Sequence, residues 1–66
     1  MIKTIEDLKD YFLYSKDRFN DYVCVDTKIR KEWMLNAETT IIEGRVYRIL
    51  FKNLGGGVWK ATIAGL

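Results

Sequence analysis

Two runs of β-prone residues near the end of the chain alternate strongly apolar positions with basic or small ones. They are 46–51 and 58–63, and the glycine-rich segment 53–57 lies between them. Glycine readily adopts the positive φ angles that a tight chain reversal needs. The pattern therefore predicts a long β-hairpin in which 45–54 pairs with 58–64.

The face that each side chain takes fixes the register of this hairpin. With Gly55–Gly57 as the loop, Leu54 lies opposite Val58. One face then collects the apolar side chains of Tyr47, Ile49, Phe51, Trp59, Ala61 and Ile63. The other face collects Arg48, Leu50, Lys52, Lys60 and Thr62. A slip of one residue would bring Trp59 onto the face of Lys52 and mix core with solvent positions, so we predict the unslipped register.

This register sets two lysines directly opposite each other. Lys52 faces Lys60, Arg48 lies further along the same face, and no acidic residue occurs between Arg45 and Leu66. Like charges in a cross-strand pair are mildly destabilising. Two interpretations follow: the basic side chains are simply solvated, or an anionic partner covers them.

The start of the chain has the pattern of an amphipathic helix. Thr4 and Asp7 have the spacing of a capping box. An apolar stripe follows helical spacing at Ile5, Leu8 and Phe12. We predict a helix over 4–14, and because Phe19 continues the stripe, the pattern allows an extension to about residue 19.

Segment 27–36 fits two patterns. As a helix it would be capped by Thr27 and would carry Ile29 and Trp33 four residues apart. As a strand it alternates apolar residues with charged ones. Because 26–28 suits a turn after the preceding β-prone run, the strand is favoured.

Together these elements predict an α+β fold, with the N-terminal helix packed on a small antiparallel β-meander that ends in the hairpin. Short strands are predicted at 22–25 and 38–42. The order of a short strand, a Glu-Gly-Arg-Val-Tyr turn at 43–47 and a long hairpin resembles SH3-like small barrels in general architecture, and such likeness transfers no function. Residues 1–66 are expected to form a single domain.

A chain of 66 residues has a thin stability margin. Two Trp, four Tyr and three Phe supply bulk for a small core. Association with a larger protein, or with a second copy as a homodimer, would supply more.

The amino-acid composition limits the cellular compartment and the kinds of chemistry that we expect for this protein. One cysteine excludes a disulfide within the chain, and neither a signal peptide nor a run of 18 apolar residues occurs, so we expect a cytoplasmic protein with no membrane segment. With no histidine, the commonest general base and metal ligand are missing, so we expect no enzyme activity, cofactor or metal. Cys24 lies in an apolar run and is expected to be buried.

Acidic residues crowd the first half of the chain. Residues 1–26 hold four basic and six acidic side chains, and 27–66 hold seven basic and three acidic ones. Such asymmetry is typical of a binding surface, and it would equally let an acidic helix pack beside a basic sheet. The acids Asp10, Asp17 and Asp21 have the spacing of one helix side, where a solvated face is favoured over a Mg²⁺ site.

The leading functional hypothesis is a non-enzymatic protein-binding module that docks on and modulates or inhibits a larger factor, of the kind that phages and mobile elements encode. The alternative is a nucleic-acid-binding module: a minimal winged helix if 27–36 is helical, or a small barrel if it is a strand. The candidate binding residues for either are Arg30, Lys31, Trp33, Arg45, Arg48, Lys52 and Lys60.

Overall fold

The computed structural model describes residues 2–36 and 38–66 and shows an α+β fold. Its elements are α1 (Ile5–Tyr14), β1 (Val23–Asp26), α2 (Thr27–Leu35), β2 (Thr40–Ile42), β3 (Arg45–Gly55) and β4 (Val58–Gly65). The four strands form one antiparallel sheet in the order β1-β4-β3-β2. The sheet curls into a half-barrel. Both helices contribute to the core on one side of it.

Helix α1 begins with the predicted capping box. The Thr4 hydroxyl accepts a hydrogen bond from the Asp7 amide (3.1 Å), and Asp7 Oδ2 accepts from the amides of Thr4 (3.2 Å) and Lys3 (2.9 Å). These bonds satisfy amide donors that the first turn of a helix otherwise leaves free. The extension to residue 19 is wrong. The helix ends at Tyr14, and the Asp17 carbonyl accepts from Asn20 and Asp21 in a separate turn.

Segment 27–35 is a helix, so the preference for a strand is wrong. Asp26, and not Thr27, is its N-cap, with Oδ1 accepting from the Ile29 amide at 2.9 Å. A strand would place Lys31 on the same face as Ile29 and Trp33 and bury its charge with them. The helix buries Ile29 and Trp33 and leaves Lys31 exposed.

The hairpin has the predicted register over most of its length. Among the observed pairs are Ile49 with Ile63, Phe51 with Ala61, Lys52 with Lys60, and Asn53 with Trp59. The tip differs, because Val58 pairs with Gly55 and the ladder is irregular between Asn53 and Gly55. The Asn53 side chain accepts from the Gly55 amide (2.8 Å), and Gly56 and Gly57, both at positive φ, close the loop.

Within residues 2–36 and 38–66, ten apolar side chains are buried in the core. They are Leu8, Phe12, Val25, Ile29, Trp33, Ile42, Tyr47, Ile49, Ala61 and Ile63. Cys24, which the sequence placed in this core, is exposed. Only one face of β1 meets the helices, so Val25 points inward and its neighbour Cys24 points outward.

Thr27 joins the start of α2 to the hairpin loop. Its amide and its hydroxyl both donate to the Gly57 carbonyl, at 3.1 and 3.3 Å. The same hydroxyl oxygen accepts from Trp59 Nε1 at 3.1 Å. One side chain thus holds the helix, the loop and an aromatic ring of β4 in a fixed relation.

We expect Thr27→Val to lower the free energy of unfolding by about 0.5–1.5 kcal/mol, because it removes the hydroxyl that bonds the Gly57 carbonyl and the Trp59 indole at a site open to water. Thr27→Ser keeps the hydroxyl and is the matched control, with a smaller loss. Urea titration followed by tryptophan fluorescence measures both. Equal losses for the two variants would show that the hydroxyl bonds contribute nothing.

The pKa of Asp7 is held below its usual value, chiefly because its carboxylate accepts from the Lys3 amide. A carboxylate with a lowered folded-state pKa contributes stability above its unfolded value and loses it as pH falls through the folded value. We therefore expect Asp7→Asn to destabilise the protein near neutral pH, with the difference from the unmodified chain shrinking in acid. Urea midpoints across a pH series measure this. A difference independent of pH would contradict the assignment.

Candidate functional site

The sheet leaves one of its faces uncovered by the helices. Alternation along the strands turns the core residues toward α1 and α2 and every second residue away from them. We call the side turned away the outer face. Its residues in the described part of the chain are Cys24, Asp26, Ile41, Val46, Arg48, Leu50, Lys52, Val58, Lys60, Thr62, Ala64 and Leu66.

The lysine pair occupies the end of the outer face nearest the hairpin loop. Lys60 pairs with Lys52 on one side and with Cys24 on the other. The Lys60 ammonium also lies 4.6 Å from the centre of the Tyr22 ring, a cation–π contact at the margin of this face. In residues 2–36 and 38–66, both ion pairs belong to Lys9, so no carboxylate neutralises the lysine pair.

Apolar side chains occupy the opposite end. Val46 pairs with Ile41, and its carbonyl accepts from the Leu66 amide at 3.4 Å. This pairing sets three apolar residues side by side across the sheet. They are exposed to 66% at Ile41, 40% at Val46 and 69% at Leu66. Leu50, exposed to 46%, continues the apolar surface toward the lysines.

The outer face carries three cations and, at the end of β1, the carboxylate of Asp26. Its cations are Arg48, Lys52 and Lys60. Asp26 follows Cys24 at the end of β1, but its carboxylate is already engaged with the Ile29 amide. Along β3 the outer-face residues are Val46, Arg48, Leu50 and Lys52 in turn, so cations alternate with aliphatic residues between the apolar end and the lysine pair.

The other predicted binding residues do not join the outer face. Trp33 is 2% exposed, lies in the core and offers no surface to a partner. The Arg30 guanidinium lies 4.4 Å from the centre of the Trp59 ring, so much of its role is packing. Lys31 is exposed on α2, on the helix side of the sheet. Arg45 is exposed at the start of β3, at the end remote from the lysine pair.

The sequence pattern did not predict the apolar row of Ile41, Val46 and Leu66. The position of Val46 on this face could have been predicted, since Val46 alternates with Arg48 and Leu50 along the strand. Ile41 joins it only through the pairing of β2 with β3, and Leu66 only because the hairpin continues beyond residue 64. Those are long-range facts that local periodicity does not contain.

Neither described helix is long and apolar enough to cross a membrane. No three His, Cys, Asp or Glu side chains within 2–36 and 38–66 are grouped to hold a metal ion. Of the acids predicted to share a helix side, Asp10 lies on α1, while Asp17 and Asp21 follow it in and after the turn.

Comparison of the chain with protein-family models, curated proteins and solved structures finds no match.

The facing lysines should cost stability. We expect Lys52→Glu to raise the free energy of unfolding by up to about 1 kcal/mol, since it converts a repulsive cross-strand pair into an attractive one. Arg48→Glu is the matched control, because Arg48 pairs with Ala64 and gains no opposite charge. Urea unfolding at low ionic strength compares them. No gain for Lys52→Glu over Arg48→Glu would mean that the lysines do not interact.

Proposed function

We propose that this protein is a small non-enzymatic module that docks through its outer face on a larger protein and modulates or inhibits it. The observation that carries the proposal is the exposed apolar row beside an unneutralised basic row on one rigid sheet. The partner surface that fits has an apolar patch next to an acidic one.

The apolar row is the part that favours a protein partner. Contiguous exposed apolar residues are uncommon on proteins that act alone and often mark interaction sites. Ile41, Val46, Leu50 and Leu66 lose water contact when a partner covers them, and that burial would supply affinity. Phosphate backbones offer nothing comparable to an aliphatic surface.

The basic row would supply orientation. Charges without internal partners steer an oppositely charged protein toward the correct face and disfavour partners of the wrong sign. Because the lysines and the apolar row lie at opposite ends of the face, a partner can bind in only one sense along the strands.

The sheet itself makes the surface rigid. The residues behind the outer face, among them Ile49, Ala61 and Ile63, are buried. Docking therefore requires little ordering of the backbone, which keeps the entropic cost of binding low. A rigid face on a small body suits a protein that occludes a larger cytoplasmic factor, as proteins of phages and mobile elements do.

A nucleic-acid-binding module is the second candidate, favoured by the helical state of 27–35. Lys28 and Lys31 are exposed on α2 and could meet phosphate. Two features weigh against it. Tyr22 is the aromatic ring that reaches the outer face, where single-strand binding would use several for stacking. The start of α2, which a recognition helix presents to bases, is tied to the Gly57 carbonyl through Thr27.

Paired charge reversals separate the two candidates. Arg48→Glu with Lys52→Glu alters the outer face, and Lys28→Glu with Lys31→Glu alters α2 by the same charge. We expect only the first variant to weaken a captured protein partner, by roughly tenfold or more. Affinity capture from nuclease-treated lysate identifies the partner, and titration of the purified pair gives the affinities.

The apolar row needs its own variant. Val46→Ser keeps every charge and should also weaken the complex, whereas Leu35→Ser on α2 removes an exposed apolar side chain elsewhere and should not. Loss of captured material with nuclease, together with sensitivity to the α2 variant and to salt, would favour nucleic acid instead. Binding unchanged by both outer-face variants would remove the proposal.

A further inference from the structure

A groove of about 900 Å³ runs between α1 and β1. From the helix it is lined by the face that carries Asp7, Asp10, Tyr11 and Tyr14. From the sheet it is lined by all of Val23–Asp26. Side chains of consecutive strand residues alternate between faces, so what these four share is the backbone edge of the strand. The groove therefore follows the open edge of β1.

That edge has no strand beside it. β1 ends the strand order and pairs only with β4 among the residues that the structure describes. Open edges present a row of amide and carbonyl groups that readily pair with another extended chain, and proteins usually block them. Here the edge is approached by the Tyr11 hydroxyl, which donates to the Tyr22 carbonyl (2.8 Å) just before the strand begins.

The groove is also strongly acidic. Of the described residues that line it, four are the aspartates Asp7, Asp10, Asp21 and Asp26, and none has a basic side chain. The pKa of Tyr11 is raised, chiefly by burial and secondly by the negative charge of Asp21. The Tyr11 and Tyr14 rings and Ile2 add apolar surface between the carboxylates. An occupant must bring positive charge, aliphatic side chains and an extended backbone.

We infer that this groove binds an extended, lysine- or arginine-bearing segment of a partner protein, which adds to β1 as a fifth strand. Its backbone would pair with Val23–Asp26, and its cations would meet Asp10 and Asp21. Strand addition of this kind takes affinity from main-chain hydrogen bonds and specificity from alternate side chains. The site differs from the outer face in its sign of charge and in offering a backbone edge.

A second copy of this chain is a poorer occupant. Pairing β1 with β1 of another copy would bring two acidic grooves together, and like charges across such a junction oppose it. Charge thus selects a basic partner over self-association.

The test uses the full chain and a synthetic, end-capped peptide of about six residues that alternates lysine with valine. A second peptide has the same sequence with every backbone amide N-methylated, so it keeps the charge and cannot donate a main-chain hydrogen bond from either edge. We expect fluorescence anisotropy to show binding of the first peptide only. Amide hydrogen exchange should slow at Val23–Asp26 when that peptide is bound.

Matched variants locate the site. Asp10→Asn and Asp21→Asn should each weaken peptide binding roughly two- to fivefold at low salt, whereas Glu43→Gln, in the turn between β2 and β3, should leave it unchanged. The outer-face variant Arg48→Glu should not weaken it either, so failure here and failure of the outer-face proposal are distinguishable.

Three results would overturn the inference. They are equal binding of the N-methylated peptide, which means adventitious charge attraction only; unaltered exchange at Val23–Asp26 under saturating peptide; and protection of those amides in a dimer without peptide. The exchange experiment needs no substitution, so it decides the matter even if a variant fails to fold.

Discussion

The structure depends on the side-chain alternation of the β3–β4 hairpin. Two short helices can cover one face of a four-stranded sheet and no more, so every strand residue is assigned either to the core or to the surface by its parity. The side chains of Tyr47, Ile49, Ala61 and Ile63 all point to the same face of the hairpin, and the core forms on that face. A slip of one residue would turn the core side chains of one strand to the outer face, so the core forms only in this register.

The same constraint creates the candidate binding surfaces. Because the helices cover one face, the alternate residues of each strand are exposed on the other face. These include the lysine pair near the hairpin loop and the aliphatic residues Ile41 and Val46 at the far end. Among the residues that the structure describes, β1 is also an edge strand of the sheet, and a groove lies between that edge and α1. One surface is mainly basic and the other is acidic, so under our two proposals each would favour a partner of the opposite charge.

Local sequence pattern predicted the parts of this fold that local physics decides. The capping box at Thr4 and Asp7 and the hairpin register each rest on neighbours in the chain or on a turn whose geometry is known. Segment 27–35 was harder, because Ile29 and Trp33 satisfy helical spacing and strand alternation at once. The exposure of Lys31 separates the two assignments, and that depends on which side the sheet lies. The predicted burial of Cys24 was wrong for a related reason, because an edge strand covered on one face buries only alternate residues of an apolar run. The lysine end of the outer face followed from the hairpin, but the apolar end required β2 to pair with β3.

The charge asymmetry of the chain admitted two explanations, and the contacts distinguish between them. If the acidic first half served to hold the basic second half, ion pairs would join α1 and the turn after it to β3 and β4. In residues 2–36 and 38–66, the ion pairs instead join Lys9 to Glu6 and Glu38. Helix α1 meets the sheet through Leu8 and Phe12, which are apolar. The separated charges therefore do little to hold this fold, while the facing lysines work against it. Lys60 keeps one internal contact, with the Tyr22 ring, whereas Lys52 has no ion pair in the described part of the chain and is the cation for which our docking proposal supplies a role.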